Sequence, residues 1–230
     1  MAGAAHPDHH PPPLTQLMRE AGSLLLLRAM SLMPVSGKRE QVGQGRPVLV
    51  IPGFLATDYS TAVLRRTLQA AGYRVYGWGL GLNLGARADL LDRLDAQLER
   101  AARHGPVSLI GWSLGGLYAR ELAKRQPGKV ACVITLGSPF SGDARANNAW
   151  RLYEFLNDHP VDAPPIEART HEKPPVPTTA IWSRADGVIA PACARGLPGE
   201  CDRAVEIDCT HMGFMTAECA MAAVLDALAE

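Results

Sequence analysis

Short runs of β-branched and other apolar residues alternate along most of the chain with longer segments in which apolar residues recur every three or four positions. The longer segments predict helices near residues 60–71, 88–104, 114–125 and 215–228. Because strands that alternate with helices form a mostly parallel sheet with helices on both faces, we predict an α/β fold with a compact sheet of about six strands. The predicted strands are Val48–Ile51, Arg74–Tyr76, Val107–Ile110, Val130–Leu136, Thr179–Trp182 and Ala204–Ile207.

The N-terminal region, residues 1–45, differs in character from the rest of the chain. Met1–Pro13 is rich in histidine and proline, a composition that cannot bury apolar surface, which predicts a flexible tail. In Leu14–Met33 the apolar residues fall at helical spacing, and a proline and a glycine follow, which predicts an amphipathic helix. This helix either packs on the domain or makes a peripheral membrane contact. Its longest apolar run, Leu24–Leu27, is far too short to span a membrane.

Residues 46–230 contain all of the predicted strands and form one predicted domain. The segment Phe140–Thr178 interrupts the alternation of strands and helices, because it contains six prolines and only one short helical piece, near Asn148–Asn157. Insertions of this kind between strands often cover a ligand site. We therefore predict a small cap at about residues 140–178.

Composition narrows the range of partners and cofactors. The chain has 23 basic and 23 acidic residues, so its charge does not favour a nucleic-acid-binding protein, and we expect a small-molecule substrate. The five cysteines have no spacing typical of a zinc site, and an odd number favours a reducing compartment, which predicts a cytoplasmic location and no metal. Cys193 and Cys201 flank a loop that contains glycine and proline, and they would bridge only in an oxidising compartment.

The candidate nucleophile is Ser113. Gly111 to Gly115 matches the pattern G-x-S-x-G, with a predicted strand before it and a predicted helix after it. A serine between these elements lies on a sharp turn with a strained backbone, and glycines two positions to either side remove the Cβ atoms that would collide there. Gly116 additionally lets the helix approach the sheet. The alternative is a glycine-rich turn with an incidental serine.

The candidate general base is His211. A serine hydroxyl is a weak nucleophile near neutral pH, so a base must accept its proton, and histidine suits that range. His211 follows the last predicted strand, at the sheet edge where the serine must also lie. The other histidines outside the tail are less well placed: His104 is at a helix end, and His159 and His171 are in the predicted cap.

A carboxylate is needed to orient the histidine and to stabilise the imidazolium. Asp186 follows the strand Thr179–Trp182, and it gives the chain order serine, aspartate, histidine that is typical of α/β hydrolases. Asp208 is the competitor, although it is so near His211 in sequence that it more naturally ends a strand. We predict Asp186 as the acid.

The negative charge that develops on an attacked carbonyl requires fixed donors, which form an oxyanion hole. One predicted donor is the backbone N–H of Leu114, which begins a helix. The second should come from the loop after the first core strand, where Gly53 permits a tight turn. We predict the N–H of Phe54, with that of Leu55 as the alternative.

Four segments together resemble the bacterial esterase and lipase branch of the α/β-hydrolase superfamily: Val48–Phe54, Gly111–Gly116, Ser183–Val188 and Thr210–Gly213. The resemblance implies the α/β-hydrolase fold and ester hydrolysis through an acyl-serine intermediate, without a cofactor. In one departure, Pro52 and Gly53 stand where many relatives have His-Gly. In another, the first pair of strands is absent, which implies a minimal core.

The predicted function is a serine carboxylesterase acting on small or medium acyl esters, because a short cap leaves little room for an elaborate lid. A triacylglycerol lipase is the first alternative, supported by Trp112 beside the nucleophile and by the leucine-rich N-terminal helix. The same three residues also serve acyl transfer or thioester cleavage. A non-catalytic ligand-binding protein is the alternative from a different class.

Overall fold

A computed structural model of the chain describes residues 10–32, 40–166 and 168–230. These ranges contain seven α-helices and six β-strands. The helices are α1 (Leu14–Leu32), α2 (Ala62–Ala70), α3 (Leu90–Ala102), α4 (Leu114–Arg125), α5 (Trp150–Leu156), α6 (Pro191–Arg195) and α7 (Glu218–Ala229). The strands are β1 (Pro47–Ile51), β2 (Arg74–Gly77), β3 (Val107–Trp112), β4 (Val130–Leu136), β5 (Thr178–Trp182) and β6 (Arg203–Glu206). Two short 3₁₀ turns lie at Pro127–Lys129 and Met212–Met215.

The strands form one parallel sheet in the order β2-β1-β3-β4-β5-β6. The chain starts at β1, moves outward to β2, and then crosses back to add β3 to β6 on the other side. In open α/β sheets, ligands bind beyond the carboxyl ends of the strands, where the direction of strand addition reverses. Here that place is the crevice between β1 and β3, which end at Ile51 and Trp112.

Helices cover both faces of the sheet because its central strands are apolar on both sides. All five residues of β1 are buried. Val48 and Val50 pack in the same core as residues of α2 and α7, whereas Leu49 and Ile51 pack in the core formed with α3 and α4. Full burial of a side chain of this size contributes about 1.5–3 kcal/mol. The two cores therefore hold the sheet rigidly and fix the positions of the strand ends.

The predicted α/β fold with six strands is confirmed, and each strand end lies within two residues of its predicted position. Strand β3 is longer than predicted because Gly111 and Trp112 continue the pairing with β4, opposite Thr135 and Leu136. Helix α6 is not predicted from the sequence. That helix has five residues, too few to show a helical repeat of apolar positions.

Helix α1 packs on the domain through the buried residues Glu20, Leu27 and Ser31. Arg66 of α2 binds the C-terminal end of α1, where its guanidinium donates hydrogen bonds of 3.0 and 2.9 Å to the carbonyls of Met30 and Ser31. The opposite side of the helix exposes several apolar residues, among them Leu14, Met18 and Leu25. Among the described residues, no helix is both long enough and apolar enough to cross a membrane. Peripheral membrane contact through α1 stays a prediction.

Part of the predicted N-terminal tail, residues 1–9, lies outside the described residues, as do Pro34 and Gly37 after the first helix. At the described end of the tail, Pro12 is buried, and its carbonyl accepts a 2.9 Å hydrogen bond from the amide of Asn148. This end of the tail therefore packs on the segment after β4.

The five cysteines all lie within the described ranges, and all are free thiols. The disulfide considered between Cys193 and Cys201 is not formed. The two thiols contact different backbone carbonyls. Sγ of Cys193 lies 3.9 Å from the carbonyl oxygen of Asp143, and Sγ of Cys201 lies 3.8 Å from that of Arg195.

Candidate active site

Ser113 lies on the turn between β3 and α4, and its backbone has φ 53° and ψ −123°. A side chain in this region is strained, and such strain concentrates at functional sites. The turn is possible only because its neighbours lack side chains. A Cβ on Gly111 would overlap Gly116, and a Cβ on Gly115 would overlap the carbonyl of Ile51. The serine is thereby held at the carboxyl end of β3, partly exposed to solvent.

Asp186 and His211 form a buried pair at the same edge of the sheet. They follow β5 and β6, and the imidazole Nδ1 lies 2.8 Å from Oδ2 of Asp186. The other carboxylate oxygen, Oδ1, accepts hydrogen bonds of 2.8 Å from the N–H groups of Val188 and Ile189. A carboxylate beside Nδ1 requires the proton on that nitrogen, which leaves Nε2 free to accept a proton.

Burial alone lowers the pKa of the His211 imidazole, because it disfavours the charged form. The adjacent Asp186 carboxylate and the nearby carboxylate of Glu20 outweigh that effect, so the pKa is raised above its ordinary value. The site therefore stabilises an imidazolium inside the protein, as a general base requires after it has taken a proton.

Aromatic residues place His211 beside the Ser113 turn. The indole N–H of Trp112, the residue before Ser113, donates a 3.2 Å hydrogen bond to the carbonyl of His211, and the two ring centroids are 5.6 Å apart. Phe214 packs edge-on against the imidazole from the other side, at 6.2 Å. The hydroxyl of Ser113 and the imidazole are not hydrogen-bonded in the described chain. A serine and a histidine that act together in an enzyme are often farther apart without substrate than with it.

The loop after β1 lies directly against the Ser113 turn. A Cβ built on Gly53 would be 3.1 Å from the Cβ of Ser113. The N–H of Leu55 donates a 2.7 Å hydrogen bond to the carbonyl of Asn83, whereas the N–H groups of Phe54 and Leu114 have no acceptor among the described residues. Of the two donors considered in this loop, the geometry therefore leaves Phe54 available, together with Leu114 at the start of α4.

Asn83, which is not among the residues predicted for the site, fixes this loop. Its side chain is fully buried, and its amide Nδ2 donates a 2.9 Å hydrogen bond to the carbonyl of Pro52. The backbone carbonyl of Asn83 accepts the hydrogen bond from the N–H of Leu55, and its N–H donates a 2.9 Å hydrogen bond to the carbonyl of Ala56. Only its position between two leucines in a glycine-rich stretch marks it in the sequence, which is too weak a signal to identify it.

A cavity of about 410 Å³ opens beside Ser113. One wall is the face of α4 formed by Leu114, Leu117, Tyr118 and Glu121, residues that share a side of the helix. The opposite wall comes from the segment predicted as a cap, and it includes Tyr153, Val161, Pro164 and Ile166. The cavity is largely apolar, and the serine lies at one end of the α4 wall.

The structure places the rejected candidates elsewhere. Asp208 is exposed. Its backbone carbonyl, rather than its carboxylate, accepts a contact from the thiol of Cys219. His104 lies 2.9 Å from the guanidinium of Arg74. Arg74 is the first residue of β2, so His104 is at the amino end of an outer strand. His159 packs on Tyr153 of α5 with a centroid separation of 5.5 Å, and His171 is exposed.

Comparison with known proteins supports the same assignment of fold. Residues 83–163 match the family described as alpha/beta hydrolase fold. The pimeloyl-[acyl-carrier protein] methyl ester esterase of Shewanella woodyi is 31% identical over 114 residues, which are 48% of this chain and 43% of that protein. The biotin biosynthesis bifunctional protein BioHC of Teredinibacter turnerae is 43% identical over 60 residues, 26% of this chain and 10% of that protein. The chain thus matches less than half the length of these curated relatives.

Solved structures resemble a larger part of the chain. A structure reported for the metagenome-derived lipolytic enzymes LipS and LipT is 16% identical with a TM-score of 0.62, and the match covers 80% of this chain and 93% of that one. The monoacylglycerol lipase of Paleococcus ferrophilus is 16% identical with a TM-score of 0.57, covering 79% of this chain and 93% of that one. Together with the parallel sheet and the sharp turn after β3, these matches show that the chain has the α/β-hydrolase fold.

Proposed function

We propose that the protein is a serine hydrolase that cleaves carboxylic esters with small or medium acyl groups through an acyl-serine intermediate. The observation that carries the proposal is the strained turn at Ser113, which opens into an apolar cavity. Trp112, the residue before Ser113, contacts His211, whose imidazole is paired with the buried Asp186. A serine, a base with its orienting carboxylate and two unpaired N–H donors are the parts that acyl transfer requires.

The reaction has two balanced halves. In the first, Oγ of Ser113 bonds to the ester carbonyl carbon while its proton passes to Nε2 of His211, and the carbonyl oxygen becomes an oxyanion held by the N–H groups of Phe54 and Leu114. The carbon–oxygen bond to the alcohol then breaks, and the alcohol leaves with the proton from His211. In the second half, water attacks the acyl-serine and gives its proton to His211, which returns it to Ser113 as the acid departs.

The dimensions of the cavity support a short or medium acyl group. From Leu114 to Glu121, the α4 wall rises about 10 Å at 1.5 Å per residue. The carboxylate of Glu121 at the far end is paired with Lys124 at 2.7 Å. A long acyl chain would extend past this polar end, whereas a medium chain would be covered by apolar residues.

A lipase is the second candidate, and one observation favours it. Helix α5, in the segment predicted as a cap, exposes Leu152, Phe155 and Leu156, and Phe155 is 84% exposed. Exposed apolar residues beside a cavity are typical of surfaces that meet lipid or protein. Two of the similar solved structures are also named for lipolytic activity.

Acyl-chain preference separates these two functions. We expect turnover of p-nitrophenyl esters to be greatest for short to medium acyl chains and to fall for long ones, because the α4 wall ends at a charged pair. The measurement is kcat/KM across the acyl series, with and without a serine-reactive phosphonate, which should inhibit every member. Turnover that rises with acyl length and increases sharply when the substrate forms an emulsion would establish the lipase instead.

The pH dependence of the reaction tests the buried pair. We expect kcat/KM to fall on the acid side with an apparent pKa above the ordinary histidine value of about 6.5, because the pKa of His211 is raised by Asp186. As the pH drops through that pKa, His211 gains a proton and can no longer accept one from Ser113. The measurement is kcat/KM for a soluble ester at constant ionic strength. An acid limb centred well below the ordinary value would contradict the proposed environment of His211.

A further inference from the structure

Glu20 is a buried acidic residue on α1 that belongs to neither the sheet nor the loops of the proposed catalytic residues. Its side chain is 5% exposed. Its Oε1 accepts hydrogen bonds from the N–H of His211 at 2.7 Å and from the N–H of Gly187 at 2.9 Å, and its Oε2 accepts from the N–H of Met212 at 3.0 Å. One carboxylate therefore joins the loop that carries the base to the loop that carries the acid.

Two further contacts hold α1 against the same loops. A Cβ on Gly187, the residue after Asp186, would overlap the carbonyl of Gln16, so the helix backbone rests directly on the acid loop. Ser23 is 2.8 Å from the hydroxyl of Thr210, the residue before His211. Helix α1 thus contacts both loops, and none of its residues lines the cavity.

We propose that Glu20 is the positioning residue of the acid–base pair, holding the Asp186 loop and the His211 loop at the separation that the 2.8 Å contact between them requires. This rests on the proposed function, because it assigns a role within the same site. Asp186 and His211 come from different loops, and a displacement of about 1 Å between catalytic groups is enough to reduce turnover about 100-fold.

The chemistry of Glu20 fits this role better than that of a neutral residue. Three backbone N–H groups converge on its two oxygens, and an ionised carboxylate offers acceptors at both of them. Removing it would leave those donors without partners in a buried site. Glutamine at the same place would turn an amide N–H toward at least one of the three donors.

Glu20 also contributes charge to the base. The charged groups that act on the His211 imidazole are Asp186, from the loop after β5, and Glu20, from α1, and both raise its pKa. The rings of Trp112 and Phe214 pack on it from β3 and from the 3₁₀ turn, and they carry no charge. Burial raises the pKa of the Cys209 thiol two residues earlier, so this thiol stays neutral near pH 7.

Kinetics of Glu20→Gln test the proposal, with Glu20→Ala as a more severe variant. We expect Glu20→Gln to lower kcat about 10- to 100-fold with KM changed less than about threefold, since the substrate cavity lies elsewhere. The acid limb of the pH profile should move to lower pH, because one of the two negative charges near His211 is gone. Glu20→Ala should lose more turnover than Glu20→Gln.

Ser31→Ala is the matched control. Ser31 is buried on α1 like Glu20, but its hydroxyl bonds only to the carbonyl of Leu27 in the same helix, at 2.7 Å. We expect this variant to change the thermal midpoint without changing kcat or the pH profile. If Glu20→Gln folds and keeps both its kcat and its acid limb, or if Ser31→Ala reproduces its kinetic defect, Glu20 only docks the helix and the proposal is wrong.

A measurement that does not depend on activity separates this proposal from the proposed function. The Nδ1 proton shared between His211 and Asp186 should give a downfield proton NMR signal, assigned by its loss in His211→Gln, and the imidazole can be titrated in the same samples. We expect Glu20→Gln to shift or broaden that signal and to lower the pKa of His211. If the wild-type protein hydrolyses no ester, the proposed function fails, and an unchanged signal and titration in Glu20→Gln would independently overturn the positioning role.

Discussion

Replacing Ser113 with alanine is expected to remove essentially all ester turnover while leaving the fold intact. The substitution deletes the proposed attacking oxygen and little volume, so the strained turn and the packing of Gly115 and Gly116 around it are preserved. Loss of a serine nucleophile in comparable hydrolases costs about 10⁶ in kcat, and the remainder comes from binding and the oxyanion hole. The measurement is kcat on a soluble p-nitrophenyl ester, with circular dichroism as the check on folding.

Ser138 provides a matched control for this variant. It is a fully buried serine beside the same turn, and its hydroxyl lies 3.4 Å from the carbonyl of Gly111. We expect Ser138→Ala to retain turnover within about tenfold and to react with a fluorophosphonate, whereas Ser113→Ala should not react. A folded Ser113→Ala protein with more than about a tenth of the wild-type activity would show that another residue is the nucleophile.

The fold was predictable because its signals are local. Each strand is an apolar run bounded by polar or turn-forming residues, so its position could be read without knowing its neighbours. The alternation of strands and helices indicated a parallel sheet, and the glycines around Ser113 indicated the sharp turn at the end of β3. Asp186 and His211 could be selected because both follow predicted strands, and the carboxyl ends of parallel strands meet at one edge of the sheet.

The residues that escaped prediction act through tertiary contacts. Glu20 is one acidic residue on an amphipathic helix, and in the sequence it is no different from a solvated side chain. Its burial depends on α1 folding back onto loops that lie more than 160 residues away along the chain, as its bonds with separations of 167 and 191 residues show. Asn83 presents the same difficulty, because its partner Pro52 is set by the packing of two loops.

The hydrogen bonds of Asp186 determine how an asparagine at this position would be oriented. Oδ1 of Asp186 already accepts hydrogen bonds from the N–H groups of Val188 and Ile189. In the asparagine variant, the amide oxygen must stay at that position, because an amide NH₂ there would face two donors. The NH₂ group therefore takes the place of Oδ2 and points at Nδ1 of His211.

That arrangement selects the wrong tautomer of the base. An N–H directed at Nδ1 requires a lone pair on that nitrogen, so the proton moves to Nε2, which can then no longer accept one from Ser113. The imidazolium also loses its counter-charge, and the equivalent change in a serine protease costs about 10⁴ in kcat. We expect a loss of that order for Asp186→Asn, and less than about tenfold for Asp208→Asn, because Asp208 is exposed. Both variants are measured on one soluble ester after circular dichroism has verified folding. A severe defect in Asp208→Asn beside a mild one in Asp186→Asn would move the orienting carboxylate to the loop after β6.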